Sequence, residues 1–125
     1  MTLLDIKKNI EQFFMSNYNE TDVHWAGTKF DTKTRDEWVY FEYLGKGIMD
    51  CGFDNTKNKH TGVINVTVVA LSTFRVSEIA SIIAELFKGK EVEGSIIRGV
   101  SIIEQGYDSD IDKSYMILNL NVTSN

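Results

Sequence analysis

One cysteine, Cys51, and two histidines, His24 and His60, are the side chains from which this sequence could build a thiolate–imidazole pair. A nucleophilic thiol needs surroundings that lower its pKa, and no neighbour of Cys51 in the chain supplies them. The three residues also lack the tight ligand spacing of a zinc site. Cys51 therefore reads as a small hydrophobe. The run Asp108-Ser109-Asp110-Ile111-Asp112 opens like a calcium loop. That loop needs glycine at position six and a bidentate glutamate at position twelve; here those places hold Lys113 and Asn119. An acidic, solvated turn is expected instead. Gly45-Lys46-Gly47 lacks the GxxxxGK[ST] spacing of a phosphate loop, and neither GxSxG nor HExxH occurs. Glu91 and Glu93 read as a solvated edge between a helix and a strand. The expectation is a non-enzymatic protein with no catalytic residue, no metal and no cofactor.

The elements that would carry these residues fit one domain spanning residues 1–125, a usual domain length. A lone cysteine forms no internal disulfide, so nothing depends on an oxidising compartment. The chain is 42% hydrophobic and 25% charged, as globular domains are. The first fourteen residues are broken by Asp5, Lys7, Lys8 and Glu11 and do not resemble a signal peptide, and no run could span a bilayer. A cytoplasmic origin is expected. Net charge is −5, shared between the two halves of the chain, so no basic arm is available to grip a phosphate backbone.

The hydrophobic spacing predicts a helix from Thr2, the N-cap, through Leu3, Ile6, Ile10, Phe13 and Phe14 to about Asn17. Asp22–Trp25 alternates as a short strand, and 26–37 reads as a long polar loop carrying Phe30. Trp38–Leu44 is a strong strand, and Gly45–Gly47 a bulge or tight turn before 48–51 resumes the pairing. Phe53–Thr61 reads as an exposed loop, and Gly62–Leu71 as a strand. Ser72 or Thr73 caps a second helix to about Lys88, with the stripe Val76, Ile79, Ala80, Ile83, Phe87 and Gly89 at C′. Ser95–Ile103 and Ser114–Val122 complete the set, joined by an acidic turn over 106–112. The expected fold is α+β: a curved, mixed or antiparallel five-stranded sheet with two helices on one face, in the order α-β-β-β-α-β-β.

Two strands in this plan are apolar on both faces. Trp38, Tyr40 and Leu44 oppose Val39, Phe41 and Tyr43, and Ile96, Val100 and Ile102 oppose Ile97 and Ile103. Two helices cover one face, so the other needs sheet curling, a long loop or a neighbouring subunit. The candidate interface residues are Phe30, Trp38, Tyr40 and Tyr43 with Asn55, Lys57, Lys59 and His60 of the polar loop, either a hairpin tip or a segment that orders on a partner.

Element order and local texture resemble the tail terminator (tail completion) proteins of long-tailed phages. Val23-His24-Trp25 with Phe30 is similar to that family's short strand and loop after the first helix. Trp38-Val39-Tyr40-Phe41 resembles its first long strand, and Gly62-Val63-Ile64-Asn65-Val66 the strand before its second helix. The resemblance implies a virion subunit, assembled in the bacterial cytoplasm, that forms a hexameric ring. Such a ring caps the tail tube, stops its polymerisation and offers a head-attachment surface. Its partners would be copies of itself, the tube protein and a neck or head-completion protein, with DNA passing through the channel without tight binding. A neck adaptor is a rival of the same class. A small ligand-binding or enzymatic domain, with Trp38, Tyr40 and Tyr43 lining a pocket, is a rival of another.

Overall fold

The computed structural model describes residues 2–50 and 58–124. Helix α1, Leu3–Asn17, starts at a reciprocal cap. The Thr2 amide donates to Asp5 Oδ2 at 3.0 Å, and the Asp5 amide donates to Thr2 Oγ1 at 3.1 Å. These bonds satisfy two otherwise orphaned donors and hold the Asp5 carboxyl below its ordinary pKa. Helix α2, Thr73–Phe87, is capped by Ser72, whose Oγ accepts from the Arg75 amide at 3.1 Å. It stops before Gly89, whose φ of +64° suits a residue without a Cβ.

Six strands form one sheet: β1 Asp22–Trp25, β2 Trp38–Asp50, β3 Asn58–Ala70, β4 Glu91–Val92, β5 Ser95–Asp108 and β6 Lys113–Ser124. Their spatial order is β1-β2-β3-β6-β5-β4, and every pair is antiparallel except β1–β2. The α+β class and the two helices agree with the sequence reading; the strand count and element order do not. The additional strand is β4, which pairs Glu91 with Ile96 and Val92 with Ser95. It is two residues long, too short for alternation to reveal, and it exists because β5 offers it an edge. Glu91 and Glu93 remain solvent-exposed beside it.

Strand lengths also differ from expectation. Asn58, Lys59, His60 and Thr61, read as loop, pair with Asp50, Met49, Ile48 and Gly47. These polar residues adopt strand geometry because the partner strand is long, a tertiary override of weak propensity. β5 likewise runs through Gly106 to Asp108, shortening the acidic turn to 109–112. Gly45–Gly47 is a bulge within β2, one of the two outcomes expected there.

The main core cluster lies on one face. Ile6, Ile10 and Phe14 of α1 and Val76, Ile79, Ile83 and Phe87 of α2 meet Val39, Phe41, Tyr43, Ile64, Val66, Val68, Met116, Leu118 and Leu120. Phe14 is the hub, with ring centroids 4.4 Å from Phe41, 4.7 Å from Tyr18 and 5.8 Å from Phe87. It ties both helices to β2.

Candidate interaction surface

Parallel neighbours such as β1 and β2 need a crossover, which here is the loop 26–37. It turns out of β1 at Gly27, whose φ is +80°. The Ala26 amide donates to the Phe41 carbonyl at 3.1 Å, and the Thr28 amide and hydroxyl both donate to the Trp25 carbonyl. Asp31 organises the far side, its Oδ1 accepting from the Lys33 amide at 3.0 Å. The loop passes over the sheet face that the helices leave bare and lays Phe30 on it.

Phe30 stacks on His24 with centroids 4.9 Å apart and lies 6.4 Å from Trp38. His24 meets Tyr40 edge-on at 5.1 Å, and its Nε2–H donates to the Thr28 carbonyl at 2.9 Å, which fixes the tautomer. The Arg35 guanidinium caps the Phe30 ring at 4.2 Å and donates through Nε to Asp22 Oδ2 at 2.9 Å. Lys113 Nζ sits 5.9 Å from the Trp38 ring centre, from the other side. His24, Phe30, Trp38 and Tyr40 thus form one aromatic shelf with charged ends. Burial and hydrogen bonding by Glu42 raise the Tyr40 phenol pKa.

The remaining predicted residues are elsewhere. Tyr43 points to the helix face, where it is buried and its pKa raised by burial. It therefore cannot line one pocket with Trp38 and Tyr40, because successive strand residues alternate faces. His60 stands in the row of Ile48 and Ser124, far along the sheet from His24 in the row of Tyr40. Lys59 is half of a ladder pair with Met49. Asn55, Lys57 and Cys51 lie outside the described residues. Among the described residues, no group of three or more His, Cys, Asp or Glu is arranged to hold a metal ion, and no helix is long and apolar enough to cross a membrane. In the acidic turn, Asp108 Oδ1 accepts from the Asp110 amide at 2.9 Å, a local turn bond.

Three features escaped the sequence reading. Arg75 joins Glu37 at 2.7 Å, Glu20 at 3.4 Å and Glu78. The first two partners are 38 and 55 residues away, so only Glu78 had a local signal. The carboxylates, Glu37 foremost, push the guanidinium pKa further up. Asn65 and Asn119, opposite one another on β3 and β6, carry buried Oδ1 atoms without a hydrogen-bond partner. The third feature is apolar exposure at the end of the sheet where β3 gives way to α2. Phe74 is 77% exposed, and Leu71, Tyr107 and Ile111 are open beside the same sheet end.

No protein-family model matches this sequence, and no curated protein does. A solved structure whose name carries no functional description superposes with a TM-score of 0.69, covering 96% of this chain and 90% of that chain at 14% identity. At that identity the likeness shows a shared α+β fold and nothing about activity.

Proposed function

We propose that this chain is a structural assembly subunit: a ring-forming tail terminator that caps the tail tube of a long-tailed phage, stops its growth and presents a surface for head attachment. The observation that carries the assembly reading is the exposed Phe74, with Leu71, Tyr107 and Ile111 at the same sheet end. Apolar surface of that kind on a small domain marks a place where another protein sits. A closed ring requires two different, complementary surfaces on each subunit. The aromatic shelf beside β1 and the exposed Phe74 of α2 offer two chemically different surfaces at one end of the sheet, joined by the Arg75–Glu37 ion pair and by Lys113 over Trp38. The tail-specific part of the reading rests on the sequence resemblance. The acidic balance fits a channel through which DNA slides without being held.

Negative-stain microscopy and light scattering test this on the concentrated protein, alone and mixed with the tube protein of the same phage genome. Closed rings of about six subunits are the expected particles, as heterologous contacts close on themselves. Phe74→Lys should abolish the rings while leaving the fold intact, because the ring of Phe74 stands in solvent. Particles no larger than dimers at every concentration, with the tube protein present, overturn the reading.

A further inference from the structure

β5 is an edge strand along most of its length. β4 covers only Ser95 and Ile96, and the Ile97 amide donates to the Lys90 carbonyl. From Arg98 to Asp108 its outer side has no neighbouring strand among the described residues. A free edge of that length offers a row of unpaired backbone donors and acceptors, a template for another strand. Apolar side chains accompany it: Ile102 is 60% exposed, Ile103 57% and Val100 39%.

The strand carries two bulges, at Arg98–Gly99 and at Ile103–Glu104, where the register against β6 shifts. Each bulge adds one residue and changes which face the following side chains take. Partners on β6 assign the faces. Ile97, Val100, Ile102 and Gln105 lie opposite Val122, Leu120, Leu118 and Met116, on the helix side; Gly99, Ser101 and Glu104 lie opposite Asn121, Asn119 and Ile117, on the bare side. The helix-side positions are symmetric about Ser101. An antiparallel second copy of β5, related by a two-fold axis at Ser101, sets Val100 against Ile102, Gly99 against Ile103 and Arg98 against Glu104. Both bulges then face bulges, the Val100–Ile102 pairs share the helix face, and each charge meets its opposite. Sliding the copy to match Arg98 with Asp108 sets Ile102 on one face against Glu104 on the other.

Gly99 supports the same register. Its φ lies outside the left-handed region, and a Cβ built on it meets nothing within 4 Å, so nothing within the subunit demands glycine there. In the paired strands that space receives Ile103 of the second copy. On the helix side, a cleft of about 370 Å³ between α2 and β5, lined by Ala84, Lys88, Ile97 and Val100 among others, flanks the apolar quartet made by Val100 and Ile102 of both copies.

We propose that two copies of this chain pair along β5, antiparallel about Ser101, to make one sheet continuous across a dimer. The pairing is isologous and closes at two subunits. It is independent of the ring reading and uses a different surface from Phe74 and the aromatic shelf.

Sedimentation equilibrium of the purified Phe74→Lys chain, in which the proposed ring contact is removed, tests it over a concentration series, without any tail component. A reversible monomer–dimer equilibrium is expected. Arg98→Glu and Glu104→Arg should each weaken it by about tenfold or more through like-charge apposition, and the double swap in one chain should restore it. Gly99→Val should weaken the dimer while leaving the thermal midpoint unchanged or raised, since the added side chain has open space and strand propensity. A chain monomeric at every concentration, single swaps without effect, or a double swap that fails to restore the dimer each overturn the pairing. Rings formed by the unsubstituted chain, with no dimer from the Phe74→Lys chain, would overturn this inference and leave the ring reading standing.

Discussion

Tyr18 shows how much one buried hydroxyl decides. Its ring stacks on Phe14 at 4.7 Å, while its hydroxyl shares a 2.8 Å hydrogen bond with Thr21 Oγ1. Burial, the largest influence, pushes the phenol pKa up to about 12; the Thr21 bond pulls it down and Glu20 nearby pushes it up. In the unfolded chain the same group ionises near 10. The folded state thus holds the proton more tightly, so Tyr18 contributes stability that is fully present below pH of about 10 and lost as pH rises toward 12. Denaturation midpoints measured through that window should fall with pH, and Tyr18→Phe should flatten part of the fall. Tyr40, Tyr43 and Tyr115 also titrate high and add to the fall. A slope unchanged by Tyr18→Phe would show that Tyr18 is not its source. None of this was legible beforehand: Tyr18 sits just past a helix end, where sequence gives no sign of whether a ring turns inward. The candidate residues fared unevenly for a similar reason. Aromatic type and strand alternation put Trp38 and Tyr40 together and Tyr43 on the other face, but only the folded loop brings Phe30 and His24 onto the first pair.

At the scale of elements, local chemistry was the most readable part. The Thr2 and Ser72 caps, both helical stripes and the Gly45–Gly47 bulge follow from residue type and spacing. What failed was set by partners distant in sequence: β4, the outer half of the β2–β3 ribbon, and the bulges that place Ile97, rather than Ile96, on the face of Val100 and Ile102. One close approach between elements gives a sharp test. Gly62 on β3 lies beneath the ring of Tyr43 on β2, and a Cβ at Gly62 would stand 2.7 Å from two ring carbons. Tyr43 is buried among α1 and the sheet, so it has little room to withdraw. Gly62→Ala should cost about 1–3 kcal/mol by overpacking. Tyr43→Phe should relieve only part of the clash, because the hydroxyl oxygen, the nearest atom, goes while the two ring carbons remain. Combining Gly62→Ala with Tyr43→Val should lose less than the two single losses added together, the signature of a direct contact in a double-mutant cycle by urea denaturation. Strict additivity would show that the ring moves aside without cost.

For the molecule as a whole, the question is whether its two sheet faces are one folding unit. The main core cluster lies on the helix face, where Trp25 is edge-on to Phe14 at 6.1 Å and to Phe41 at 5.4 Å. Trp38 belongs to the opposite face, held by Phe30 and Lys113 and only 6% exposed. The loop over Trp38 has no core of its own; its order derives from the β1–β2 pairing beneath and from the Arg35–Asp22 and Arg75–Glu37 ion pairs at its margins. Exposed or half-exposed pairs of this kind contribute about 1 kcal/mol or less each. The face therefore cannot hold its geometry once the sheet opens, and small domains of this length generally unfold in one step. Trp25→Phe and Trp38→Phe leave single-tryptophan chains that report on one face each. Their fluorescence transitions in urea should coincide with each other and with the loss of far-ultraviolet circular dichroism. An earlier transition for the chain that retains Trp38 would mean that the aromatic shelf melts while the core stands. In that event the shelf would be an interaction surface that forms only when a partner stabilises it, and the rigid complementary face required for ring closure would have to be sought around Phe74 on α2.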